Sequence, residues 1–225
     1  MNNGKYQDVL ESMKEHLTQD DCLHTYRVLN YALQILETEA EANPEVVILS
    51  AILHDIGRAK RGGGEMADKS HAEIGAEKSR ALLAEKNYPE ETIRLVSECI
   101  LSHSRSAESE PQTLEAKILF DADKLDMTGA VGATRAIQAA AADGKPLYHL
   151  DDEGFPLNGK KKEPPSLFQD YQQKLEKITV LFYTEKACKM AIKRQKAMDD
   201  FFGTLHKEAN KNHENGMKLL HKYCK

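Results

Sequence analysis

Apolar residues recur at three- and four-residue steps along almost the whole chain, and no sustained run alternates with period two, so the pattern predicts an all-α protein. A short helix is expected over about 6–17. Asp20 and Asp21 are capping residues suited to a second helix over about 22–41. Asn43-Pro44 opens a third, with proline early in the helix where its missing donor does no harm, and Gly57 is expected to close it. The segment 58–69 contains Gly62-Gly63-Gly64 and reads as a loop. Ser70 caps a helix running to about residue 86, and Tyr88-Pro89 begins another that reaches His103. Beyond the polar stretch SRSAESEPQ, one long helix is expected from about Thr113 through the small residues of GAVGATRAIQAAAA to Asp143-Gly144.

Residues 145–166 hold four of the seven prolines and the run Lys160-Lys161-Lys162, which marks an insertion, either a loop or a short hairpin turning at DDEG. After it, Leu167, Tyr171, Leu175, Ile178 and Phe182 predict an amphipathic helix folding back on the body. There is no internal repeat. The expectation is a single domain over 1–225, with a core over about 20–143, the insertion at 145–166, and C-terminal helices over 167–225 packed on the core.

Composition narrows the function. With 225 residues, 40% apolar and 30% charged, the chain has ordinary globular usage. The longest apolar stretch, VVILSAIL, is far shorter than the roughly 20 residues that span a bilayer, so no membrane partner is expected. The opening MNNGKYQDVLESMKEH has no secretory pattern, and a cytoplasmic location is expected. Cys22, Cys99, Cys188 and Cys224 are widely spaced and form no CxxC pair, which supports neither a zinc ribbon nor a disulfide framework. The net charge of −5 argues against a nucleic-acid partner. It conceals a split, −12 over 1–159 and +7 over 160–225, which is either a solvated lysine-bearing helical face or a basic wall for an anionic substrate.

Four groups bear on chemistry: His24 in HTYRVL, His54 and Asp55 in LHDIG, His71 in SHAEIGAE, and Asp121, Asp123 and Asp126 in DADKLD. Taken singly, each has a bland reading as a core, capping or solvated residue. The His54-Asp55 pair departs furthest from it. It follows VVILSAIL directly, and a carboxylate entering such a neighbourhood needs a partner charge or a metal. Imidazole nitrogen with carboxylate oxygen suits a divalent transition ion, Mn, Co, Ni, Fe or Zn, better than calcium.

The order His, then His-Asp about 30 residues on, then Asp resembles the HD-domain phosphohydrolase superfamily. HTYRVL, LHDIG, SHAEIGA, ILSHS and LEAKILFDADKLDMTGAVGATRA follow one another as in its single-domain bacterial YpgQ/YedJ-like subgroup, and YTEKACKMAIKRQKAMDDFF resembles that subgroup's final helix. The resemblance implies an HD-domain helical bundle with His24, His54, Asp55 and Asp123 holding one divalent ion. Asp121 competes with Asp123, but residues two apart on a helix point about 200° apart and only one faces the ion, while Asp126 shares the face of Asp123. Asp126 then orients Arg27 or Lys124, holds a water, or is structural.

Cationic candidates for phosphate contact are Arg27, one turn after His24, with Arg58, Lys60 and Arg61 after Gly57, and Lys124. GGGE lacks the GK[ST] ending of a Walker loop. Further histidines complete a two-metal site in some HD relatives, but the accompanying adjacent histidine pair is absent here, so one metal is expected. His71 and His103 become candidates for proton transfer or phosphate binding, with a structural role as the alternative. Asp55 is a catalytic candidate through the metal it would hold.

The subgroup resemblance implies hydrolysis of a nucleotide, a nucleoside or deoxynucleoside triphosphate giving the monophosphate and pyrophosphate. A nucleoside 5′-monophosphate phosphatase and a non-catalytic metal- and nucleotide-binding sensor are the alternatives. The 145–166 insertion and the Gly62–64 loop are candidate lids. The final amphipathic helix serves a homodimer interface or an intramolecular face equally well.

Overall fold

The structure, a computed structural model, describes residues 4–58, 69–103 and 110–224. It is all-α, as the spacing predicts, and falls into two compact units: Met1–Asp126 with Phe182–Ala187, and Met127–Leu181 with Cys188–Lys225. Among the described residues no helix is long and apolar enough to cross a membrane, and all four cysteines are free.

The first unit contains α1 (Lys5–His16), α2 (Gln19–Leu36), α3 (Pro44–Leu53), α4 (His71–Glu85), α5 (Glu90–Ser102) and α6 (Leu114–Leu125). The cap of α2 is Thr18, whose hydroxyl accepts from the Asp21 amide, so the helix starts earlier than Asp20 and Asp21 suggest. Asn43 caps α3 through its side chain with Pro44 in the first turn, and Ser70 and Glu73 form a capping box on α4. Helix α3 is buried almost all round, with Val46, Val47, Leu49, Ala51, Ile52 and Leu53 at 0–1% exposure. Such a helix has to be enclosed, and α1, α2, α5 and α6 pack against it.

The second unit contains α7 (Gly129–Ala142), a four-residue helix α8 (Leu167–Asp170) and the 39-residue α9, whose residues from Cys188 onward belong here. Ala133, Ala140, Leu167, Leu175, Met198 and Phe202 form its core, and Tyr171 stacks on Phe202 with ring centroids 4.2 Å apart. Residues 149–157 make the short hairpin expected at DDEG. Leu150 bridges Pro156, and Asp151 accepts the amides of Glu153 and Phe155 to close the turn.

Two predicted helices are broken. The long helix expected over 113–143 is α6 and α7, separated at 126–128: Thr128 is extended, its hydroxyl and carbonyl accept from Arg194, and Gly129 takes φ +69°, which a side chain rarely adopts. The helix expected over 167–182 is α8, a π-helical turn over Tyr171–Leu175 and a 3₁₀ turn over Ile178–Leu181. Its apolar spacing is satisfied without a continuous helix, and just beyond it Tyr183 and Thr184 leave helical geometry and bring their amides to Asp121.

Candidate metal centre

Five segments of the first unit deliver the candidate side chains. His24 lies on the second turn of α2, and His54 and Asp55 form the turn that follows the buried α3. His71 opens α4, His103 caps the end of α5, and Asp123 lies on the last turn of α6. The Gly57 backbone lies so close to α4 that an added Cβ would come within 2.0 Å of the His71 carbonyl oxygen and 2.4 Å of the Gly75 nitrogen. Glycine at 57 therefore does more than follow a helix end. It lets the LHDIG turn touch the first turns of α4, and this contact brings His71 beside His103.

The ring orientations are fixed by neighbours that only accept. His54 Nδ1 donates to the Ala51 carbonyl at 2.9 Å, His103 Nδ1 to the Ile100 carbonyl at 2.5 Å, and His24 Nδ1 to Asp126 Oδ2 at 2.7 Å. With each proton on Nδ1, all three rings present the lone pair of Nε2. His24 Nε2 and His54 Nε2 lie 3.2 Å apart, two acceptors facing one another. His24 Nε2 is also 3.5 Å from Asp55 Oδ2 and 3.2 Å from Asp123 Oδ1, and His54 Nε2 is 3.5 Å from Asp55 Oδ2. Neither buried oxygen of Asp55 accepts a hydrogen bond of good geometry. Two opposed lone pairs with buried carboxylate oxygens converging on them are stabilised by a cation among them, so this donor set fits a divalent ion.

Burial drives the pKa of His54 down to about 4, outweighing the pull of Asp55, so the ring is neutral near pH 7. Burial, with His103 and Arg58 nearby, also lowers His71. Burial alone would raise Asp55 and Asp123. The Arg58 guanidinium beside Asp55 and the Lys124 ammonium beside Asp123 oppose that burial, and both carboxyl groups lie well below the usual carboxylate range. Neutral imidazoles with ionised carboxylates are the protonation states a metal requires. A second group, Asp55, His71 and His103, also has donor atoms within 4.8 Å of one another, with His103 Nε2 3.7 Å from Asp55 Oδ1.

Among the described residues the candidate cations are engaged with carboxylates. Arg58 Nε is 2.6 Å from Asp55 Oδ2, Lys124 Nζ is 2.6 Å from Asp123 Oδ2, and Arg27 forks onto Asp126. Three cations thus face three carboxylates, and a divalent ion would leave the cluster with a positive excess. Lys60, Arg61 and Gly62–64 lie outside the described residues. Asp121 points elsewhere: it accepts from the amides of Tyr183 and Thr184 and from the Thr184 hydroxyl, and it takes no part in the cluster. Sequence reasoning did not find the link between His24 and Asp126. A signal for it existed, because Arg27 follows His24 and Asp126 follows Asp123 by the same three-residue step, on two helices that pack together.

Such a helical body, with histidines and aspartates converging beneath a buried helix, defines an HD-type protein, and residues 23–128 match the family described as HD domain. The chain carries an HD domain over that stretch. Its relatives include YpgQ of Bacillus subtilis, 26% identical over 190 residues that cover 84% of this chain and 83% of that protein. The crystal structure of B. subtilis YpgQ in complex with ADP superposes with a TM-score of 0.70 at 26% identity, covering 91% of this chain and 94% of the other. An HD-superfamily hydrolase from Bacillus thuringiensis gives a TM-score of 0.68 at 25% identity, covering 92% and 98%.

Proposed function

We propose that the chain is a metal-dependent phosphohydrolase acting on a nucleotide, converting a nucleoside or deoxynucleoside triphosphate to the monophosphate and pyrophosphate. The observation that carries this reading is the convergence of the His24 and His54 Nε2 lone pairs with Asp55 and Asp123, two carboxylates held ionised, in a buried cluster. These four residues hold one divalent transition ion. When bound, such an ion lowers the pKa of a coordinated water and polarises a phosphoryl oxygen. His103, with its proton on Nδ1, accepts a proton at Nε2, and the half-buried His71 beside it contacts phosphate. Arg58 and Lys124 supply positive charge beside the carboxylates, where an incoming phosphate competes for them. Likeness to YpgQ, whose structure contains ADP, supports a nucleotide substrate, and the subgroup resemblance supports pyrophosphate release.

A second reading is favoured by the donor set of Asp55, His71 and His103, which shares Asp55 with the first and would hold a second ion. Metal content after reconstitution separates the two: one equivalent per chain fits the first, two fit the second.

The reaction is tested with metal-stripped protein, one divalent ion at a time, nucleoside mono- and triphosphates, and separate detection of phosphate and pyrophosphate. Asp55→Ala is expected to lower turnover by about 10³-fold or more. Pyrophosphate with a monophosphate, lost in that variant, is the expected result. Phosphate alone would move the reaction to a monophosphatase, and tight metal binding without turnover would favour a sensor.

A further inference from the structure

Asp126 is fully buried, and both of its oxygens are engaged by two neighbouring side chains. Oδ2 accepts from His24 Nδ1 at 2.7 Å and from Arg27 Nη2 at 3.0 Å, and Oδ1 accepts from Arg27 Nε at 2.7 Å. A guanidinium gripping both oxygens fixes the plane of the carboxylate, and the carboxylate in turn fixes the plane of the imidazole. Arg27 is only partly exposed and has the face nearest Asp126 committed to this fork. The arrangement is therefore a chain of three, Arg27 to Asp126 to His24, ending at the Nε2 that points to Asp55 and Asp123.

We propose that Asp126, braced by Arg27, is the positioning residue of the metal centre: it keeps the His24 proton on Nδ1, aims Nε2 inward, and so sets how tightly the centre holds its ion. This assignment rests on the reading of His24 as a metal ligand. It replaces the substrate-contact role expected for Asp126 and gives Arg27 a structural partner in place of phosphate. A negatively charged acceptor on the far side of a ligating imidazole makes the near nitrogen a stronger donor, and loss of such a partner typically costs 10–100-fold in metal affinity. The helix geometry makes the chain possible. Asp126 is the C-terminal cap of α6, one turn past Asp123, and Arg27 lies one turn past His24 on α2, so two matched steps face each other.

The test uses metal-stripped full-length chain titrated with Co(II), with affinity and the visible absorption band of the bound ion as readouts and no substrate present. In Asp126→Asn the amide oxygen still accepts from His24, but the charge and the two-pronged grip of Arg27 are lost. The expected result is roughly 10–100-fold weaker Co(II) binding and an altered band in a metal-free protein that is still folded, though lower in melting temperature. Arg27→Gln, at a partly exposed position, leaves Asp126 on His24 and is expected to weaken binding by a smaller factor, about threefold. It decides the matter if Asp126→Asn does not fold, because wild-type affinity in Arg27→Gln would then overturn the proposal. His24→Ala is the reference. If it abolishes binding while Asp126→Asn binds with wild-type affinity and an unchanged band, the positioning role is wrong and the metal site stands. If His24→Ala itself binds as wild type, the metal-site reading fails and the positioning role with it.

Discussion

In the unit built from Met1–Asp126 and Phe182–Ala187, the ionisable groups His24, His54, Asp55, His103 and Asp126 lie at 0–3% exposure under an apolar helix. In the unit built from Met127–Leu181 and Cys188–Lys225, charged groups such as Lys160, Asp199 and Lys207 instead rim an open cavity of about 500 Å³ over Phe168, Tyr171 and Phe202. The contrast lies in what water is allowed to do. Exposed charges exchange their partners for solvent at little cost, whereas buried ones hold a fixed protonation state only while specific neighbours remain. The first unit uses apolar bulk to impose tautomers and ionisation, and the second uses it only to hold helices together.

The sharpest way to break this contrast is to remove the apolar element of the second unit. Phe202→Ala deletes a ring at 2% exposure stacked on Tyr171, and is expected to cost about 3–5 kcal/mol in denaturant unfolding. Metal affinity in the protein that remains folded should stay at the wild-type value. In the first unit Gly57→Ala forces a methyl against backbone atoms of His71 and Gly75, which no rotamer change relieves. A loss of about 3 kcal/mol is expected, together with reduced turnover because His71 and His103 are pushed apart. Asp121→Asn sharpens the comparison within one helix. It weakens acceptance from Tyr183 and Thr184 and should cost about 1–3 kcal/mol while leaving kcat intact, whereas Asp123→Asn should abolish hydrolysis.

The smallest effect belongs to Asp170. Although partial burial opposes it, Lys145 and Lys174 lower its pKa in the folded state. The ionised form is thus favoured by folding, and the stability it adds is present above the unfolded-state pKa of about 3.9 and lost as pH falls through the lower folded value. Asp170→Asn should therefore cost less than about 1 kcal/mol at pH 7, and its difference from wild type should vanish in melts taken well below pH 4.

The helical class, the capping of α3 and α4, and the oddity of His54-Asp55 were legible because each rests on local pattern: periodicity, a cap residue, or a polar pair following an apolar run; that His24 and Asp123 meet them was implied by the family resemblance. What escaped was set by distant partners. Nothing near Met127 announces that Arg194 will take the Thr128 carbonyl and hydroxyl and end a helix there. The spacing from Leu167 to Phe182 suits a continuous helix as well as the three short turns observed, and the residues just after it, Tyr183 and Thr184, are held by the buried carboxylate of Asp121, about 60 residues earlier. Asp126 was placed on the right face, but its neighbour across that face could be named only once α2 and α6 were side by side.

The return of 182–187 to the first unit decides how the chain can be dissected. A fragment stopping at residue 126 would contain every candidate ligand, yet it would lack the amides and hydroxyl that occupy Asp121. Such a truncation would strand a carboxylate in an apolar wall. Residues 23–128, the stretch the family shares, are therefore a poor boundary for expressing a minimal domain, and a viable one must keep the strap at 182–187 attached.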